Sequence, residues 1–143
     1  MLGYIFSVIA GTAMSIQGVF NTRLSEKIGL YESNMFVQGT AFAFALIAMF
    51  FLGKGDITKI GACNKLYLLG GFLGIVITIT VMLSITNLSP TVAISVILIA
   101  QLIVAALIDA FGLFGSEVVR FGMTKYIGIV LMIAGVIIFK LKT

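Results

Sequence analysis

Apolar residues fill five long stretches of this chain, separated by short polar connections. The stretches run from Leu2 to Phe20, Asn34 to Leu52, Leu66 to Thr86, Val92 to Phe114 and Tyr126 to Phe139. Each approaches the roughly 17–25 helical residues needed to cross the hydrocarbon of a bilayer. The pattern predicts an all-α integral membrane protein with five transmembrane helices. The connections are expected at Asn21–Ser33, Gly53–Lys65, Asn87–Thr91 and Gly115–Lys125. Linkers this short make consecutive helices antiparallel neighbours. Pro90 is expected to begin the fourth span, where its missing N–H costs nothing.

The tyrosines test this map independently. Tyr4, Tyr31, Tyr67 and Tyr126 all fall within a few residues of a predicted span end. Amphipathic rings settle there, at the level of the lipid head groups.

Composition narrows the class. The chain is 61% hydrophobic and 10% charged, against about 25% charged in soluble domains. Its polar residues are too few to cover a soluble globule. Residues 1–143 are expected to form a single five-helix transmembrane domain with no soluble insertion. The net charge of +4 lies in the connections, where it suits anionic head groups of the lipid bilayer and does not point to nucleic acid. Cys63 is the only cysteine, so no intrachain disulfide is possible. Histidine is absent, as are the zinc-protease motif, the phosphate-binding glycine loop and the nucleophile elbow. We expect no enzyme, no metal and no other cofactor. The first apolar stretch lacks a basic region before it and contains Gln17, so it reads as a retained helix and not a secretory signal.

Five spans would place the termini on opposite sides of the membrane. The side of the N-terminus then carries Lys54, Lys59, Lys65, Arg120 and Lys125, and the other side Arg23, Lys27, Lys140 and Lys142. The bias in Lys and Arg fixes orientation in most membrane proteins. Five against four leaves almost none. Such a chain is expected to insert in both orientations.

Small residues recur at helix-packing spacings. Gly70 and Gly74 form a GxxxG in the third span, Gly11 and Ser15 precede Gly18 in the first, and Gly128 and Gly135 lie seven apart in the fifth. These let backbones approach where no hydrophobic force drives helices together. The contacts could be within the chain or between copies.

A few polar residues sit at membrane depth. Asp109, the only carboxylate within a span, lies about 25 Å along the fourth helix counted from Val92. That is nearer the interface than the midplane. It could lie in a solute path, or it could reach interfacial water and pair with Arg120 or Lys125. Gln101 lies about 13 Å along the same helix, close to the midplane. It could bind a solute or bridge two helices. Gln17 and Asn21 form an i, i+4 pair on the first span, with Gln38 at the start of the second on the same side. Thr78, Thr80, Ser84 and Thr86 are expected to bond back to their own helix. Gln101, Asp109, Gln17 and Asn21 are the candidate path-lining residues. No internal repeat is visible, although secondary transporters are commonly built from two inverted repeats about a midplane site. A second repeat would have to come from a second copy.

These residues also carry a family likeness. Gly11–Gly39, GTAMSIQGVFNTRLSEKIGLYESNMFVQG, resembles the opening of the YdcZ-type inner-membrane exporters, a small branch of the drug/metabolite transporter superfamily. Gln17, Asn21 and Gly39 stand where that family shows Gln, Asn four later, and a Gly in the second span. Ala100–Gly115, AQLIVAALIDAFGLFG, is similar to its second signature through Gln101, Asp109 and the run from Phe111 to Gly115. Ala100 and Ala110 depart from the Gly and His common there, and the missing histidine weakens a proton relay beside Asp109. The resemblance covers essentially the whole chain. It implies a multi-pass protein of the inner membrane, one inverted-repeat half of a ten-helix transporter completed by an antiparallel second copy. The function implied is secondary transport or export of a small organic solute by an antiparallel dual-topology homodimer. The alternative, from a different class, is a non-transporting assembly or regulatory subunit packed against another membrane protein, whose glycines and amides helix packing alone would explain.

Overall fold

The computed structural model describes residues 1–119 and 122–141. Arg120 and Lys142, two of the basic residues counted above, lie outside the described residues, as does the side chain of Lys140. Among the described residues the chain is helical: α1 Leu2–Ile28, α2 Leu30–Leu52, α3 Gly70–Asn87, α4 Pro90–Phe111 and α5 Met123–Leu141. Short 3-10 segments cover Ile57–Ala62, Lys65–Leu69 and Leu113–Gly115. The chain divides into two compact units, Met1–Asn87 with α1 to α3 and Leu88–Thr143 with α4 and α5.

Four helical segments, Leu2–Ile28, Leu30–Leu52, Lys65–Asn87 and Pro90–Phe111, are long and apolar enough to cross a membrane. The apolar part of α5, Met123–Phe139, is shorter. At 1.5 Å per residue it extends about 25 Å, the low end of what spans a bilayer. Large apolar side chains stay exposed along these helices, Phe51 at 83% and Phe42 at 69%. In a bilayer the lipid tails cover such groups, so helices there pack through small residues and polar contacts and need no large core.

The first connection differs from the sequence reading. Asn21–Ser33 is helical except at Gly29, which separates α1 from α2. The segment looked like a loop because it is polar, but polarity marks where a helix leaves hydrocarbon, not where it ends. Arg23 and Glu26 pair at 3.0 Å on the surface of this last stretch of α1. The chain reverses at Gly29 with φ 102, a conformation that side chains rarely adopt. A Cβ there would also run into the Glu32 carboxylate.

The other boundaries have equally local causes. Ser89 caps α4 by accepting the Val92 N–H at 3.4 Å, with Pro90 in the first turn as expected. The helix stops at Phe111, three residues before the expected Phe114, because Gly112 takes the left-handed conformation at φ 61 and donates its N–H to the Ile108 carbonyl. Between α2 and α3, Asp56 caps the first 3-10 segment. Its carboxylate accepts the Thr58 hydroxyl at 2.6 Å and the Thr58 N–H at 3.0 Å. Those two bonds hold its pKa below the ordinary carboxylate range.

Inside the first unit α1, α2 and α3 each pack against the other two. Its buried apolar residues are Met82 and Ile85 of α3. Thr78, Thr80 and Thr86 donate to the carbonyls of Gly74, Val76 and Met82 at 2.8, 2.8 and 2.9 Å. This is the back-bonding expected of them, and it removes their hydroxyls from any free donor set.

Candidate functional site

Among the described residues, two places collect polar chemistry, one in each unit. In the first, the end of α1, the start of α2 and the end of α3 enclose a polar cluster. Asn21, Thr22, Ser33 and Asn34 are all buried, Ser33 completely. The Ser33 hydroxyl donates to the Asn21 carbonyl at 3.3 Å and approaches the Met82 sulfur at 3.8 Å. One serine on α2 thus joins α1 to α3. Thr22 bonds back to the Gly18 carbonyl at 2.8 Å. The Asn34 Oδ1 is buried with no hydrogen-bond partner among the described residues, which is costly unless something else supplies a donor. Four residues along the same helix, Gln38 donates its Nε2 to the Thr78 hydroxyl at 3.2 Å and ties α2 to α3.

Of the path-lining candidates in this unit, Asn21 belongs to the cluster, whereas Gln17 is exposed. Sequence reasoning passed over Ser33 and Asn34 because they sit where a connection was expected to become a span. A usable signal was present: Asn34 and Gln38 stand at i, i+4 on α2, the spacing that singled out Gln17 and Asn21 on α1.

In the second unit α4 packs against α5, and an open groove of about 280 Å3 lies between them. Leu102, Ala105, Ala106 and Asp109 line it from α4. Lys125, Gly128, Ile129 and Met132 line it from α5. The lining climbs one helix as it descends the other, the signature of an antiparallel hairpin. Asp109 and Lys125 share one end, and Leu102 and Met132 the opposite end. Asp109 is half-buried and makes no ion pair among the described residues. Of its two expected partners, Lys125 lines the same groove and Arg120 lies outside the described residues. Gln101 is exposed and is not part of the groove lining. A second groove of about 240 Å3 shares Ala106 and Ile129 with the first, but has Tyr126 and no carboxylate.

The glycines divide by environment. A Cβ on Gly18 would lie 3.0 Å from Ile85 Cδ1 and 3.2 Å from Val81 Cγ1, so α1 and α3 come close there. A Cβ on Gly74 would meet Gln38 Nε2 at 3.6 Å, an ordinary contact. At Gly11, Gly70, Gly128 and Gly135 it would meet nothing within 4 Å. Among the described residues no group of three or more Cys, Asp or Glu could hold a metal.

Compared with known proteins, the chain matches over residues 2–138 the family described as "Putative inner membrane exporter, YdcZ". No curated protein and no solved structure matches it.

Proposed function

The chain belongs to the YdcZ family of inner membrane exporters, and from that premise we propose that it is a secondary transporter assembled from two copies of itself in opposite orientations. The chain is a protein of the inner membrane, and four helices among its described residues are able to span it. In the proposed assembly α5 crosses as the fifth span, and the two units act together as one five-helix domain. Two such domains supply the two inverted halves that alternating access requires. Oppositely oriented copies make the inward-open and outward-open states related by symmetry. The states are then nearly equal in energy without further tuning, and one bundle rocks against the other to exchange a small organic solute.

The observation that carries this reading is the charge balance. Five basic residues on one side against four on the other give the insertion machinery almost nothing to discriminate. Gln101, Asp109, Gln17 and Asn21 of each copy are assigned to the solute path. Asn21 is buried in the polar cluster and Asp109 half-buried in the groove, so each offers a polar group at a sheltered position. An exporter family does not favour the alternative of a non-transporting assembly subunit.

Cysteine labelling in whole cells tests the proposal. Cys63 is free and exposed between α2 and α3, on the side expected to oppose the C-terminus. Membrane-impermeant reagent should label Cys63 in part of the population and, in a Cys63→Ser background, a cysteine added at the C-terminus in another part. If one of the two sites never labels from outside, the chain has a single orientation and the homodimer is wrong.

A further inference from the structure

The groove between α4 and α5 is graded from charged to apolar along its length. Asp109 sits two residues before the end of α4, and Lys125 two residues after the start of α5. From that end the lining passes through Ala105, Ala106 and Ile129 to Leu102 and Met132. Seven residues of helix separate the two ends on each side, about 10 Å at the helical rise. Both signs of charge therefore stand at the membrane-edge end, with apolar walls running inward from them. The groove is open at Gly128, where a Cβ would meet nothing within 4 Å.

We propose that, whenever no solute occupies Asp109, this groove holds one phosphatidylethanolamine molecule of the bilayer, its ammonium on the Asp109 carboxylate and one acyl chain along the apolar walls. Three properties of the site select this lipid. The Asp109 carboxylate makes no ion pair among the described residues, so none of them competes with a cationic donor for it. A primary ammonium has N–H groups to give it, whereas the quaternary ammonium of phosphatidylcholine has none. Phosphatidylglycerol offers the phosphodiester and no cation, which leaves Asp109 facing an anion. The order of the groove also matches the order of a lipid, with the head at the interface and the chain toward the bilayer centre. The companion groove has no carboxylate and should not discriminate between head groups.

Native mass spectrometry of the purified full-length protein in detergent, titrated separately with phosphatidylethanolamine, phosphatidylcholine and phosphatidylglycerol, tests the proposal. Phosphatidylethanolamine should bind about tenfold more tightly than the other two, the worth of one charge-assisted hydrogen bond. Asp109→Asn should erase that preference. Ala106→Phe, which blocks the groove and leaves both charges in place, should reduce retention of the lipid itself. Thermal unfolding and size-exclusion profiles of each variant establish that it is folded, and either variant alone suffices if the other is not. Equal binding of all three lipids overturns the proposal, as does a preference that survives in folded Asp109→Asn or a retention unchanged in folded Ala106→Phe. Folded protein that takes up none of the three lipids overturns it too.

Discussion

Gly18 of α1 and Ile85 of α3 meet so closely that a Cβ on the glycine would lie 3.0 Å from the isoleucine Cδ1. The first unit is held at this point by backbone approach and not by bulk, as expected where lipid removes the usual hydrophobic drive. Gly18→Leu should overpack the contact and cost about 1–3 kcal/mol. Gly70→Ala, in open space within the same unit, should change stability by no more than about 1 kcal/mol, the helix-propensity difference. Thermal unfolding of the purified protein in detergent separates the two. Equal effects would mean that the α1–α3 contact does not limit stability.

The polar cluster makes two opposite predictions at adjacent residues. Ser33→Ala removes the bond to the Asn21 carbonyl and should destabilise by about 1 kcal/mol. Asn34→Leu removes a buried acceptor that has no partner among the described residues, so it should be neutral or stabilising by about 1 kcal/mol. Denaturation curves that show Asn34→Leu as the more damaging change would mean that a bound water or solute satisfies the amide.

The helices were legible in the sequence because hydrocarbon imposes a length and an apolar composition on whatever crosses it. Residues 21–28 were not, since a helix continuing into the head-group region loses its apolar signature while keeping its backbone bonds. Only Gly29, with its positive φ, ends α1, and a single glycine in a chain with 16 is a faint mark. Asp109 stood out as an acid among apolar residues. Lys125 stood out only as its possible neighbour across the hairpin, because sequence spacing does not give the register that places both in one groove. Ser33 was invisible for a related reason: its importance comes from the α1 and α3 surfaces it bridges, far from it in sequence.

Topology should respond to charge in opposite directions at two sites. Two lysines added to the Asn87–Thr91 turn raise its side from four basic residues to six against five. That side should then favour the cytoplasm. Two lysines added to Gly53–Lys65 should favour the opposite orientation. A reporter fused to the C-terminus reads both variants, and a reporter that moves in neither would show that basic residues do not set orientation here.

Asp109 decides whether charge at membrane depth serves transport. Asn keeps the shape and hydrogen-bonding capacity of the side chain and removes its charge, so Asp109→Asn separates electrostatics from packing. For a residue that captures or couples the solute, the variant should lower binding or transport by about tenfold or more, the loss of one charged hydrogen bond. The dimer should stay intact. The solute comes from a thermal-shift screen of amines, cationic amphiphiles, sugars and carboxylates at several pH values. Gln101→Leu, changed in parallel, tests the exposed amide two turns earlier on α4. If Asp109 only anchors the hairpin at the interface, Asp109→Asn will bind solute normally and unfold at a slightly lower temperature. Lipid retention measured on the same sample tells the two roles apart: loss of phosphatidylethanolamine preference with transport unchanged would place the carboxylate in the lipid site and outside the solute path.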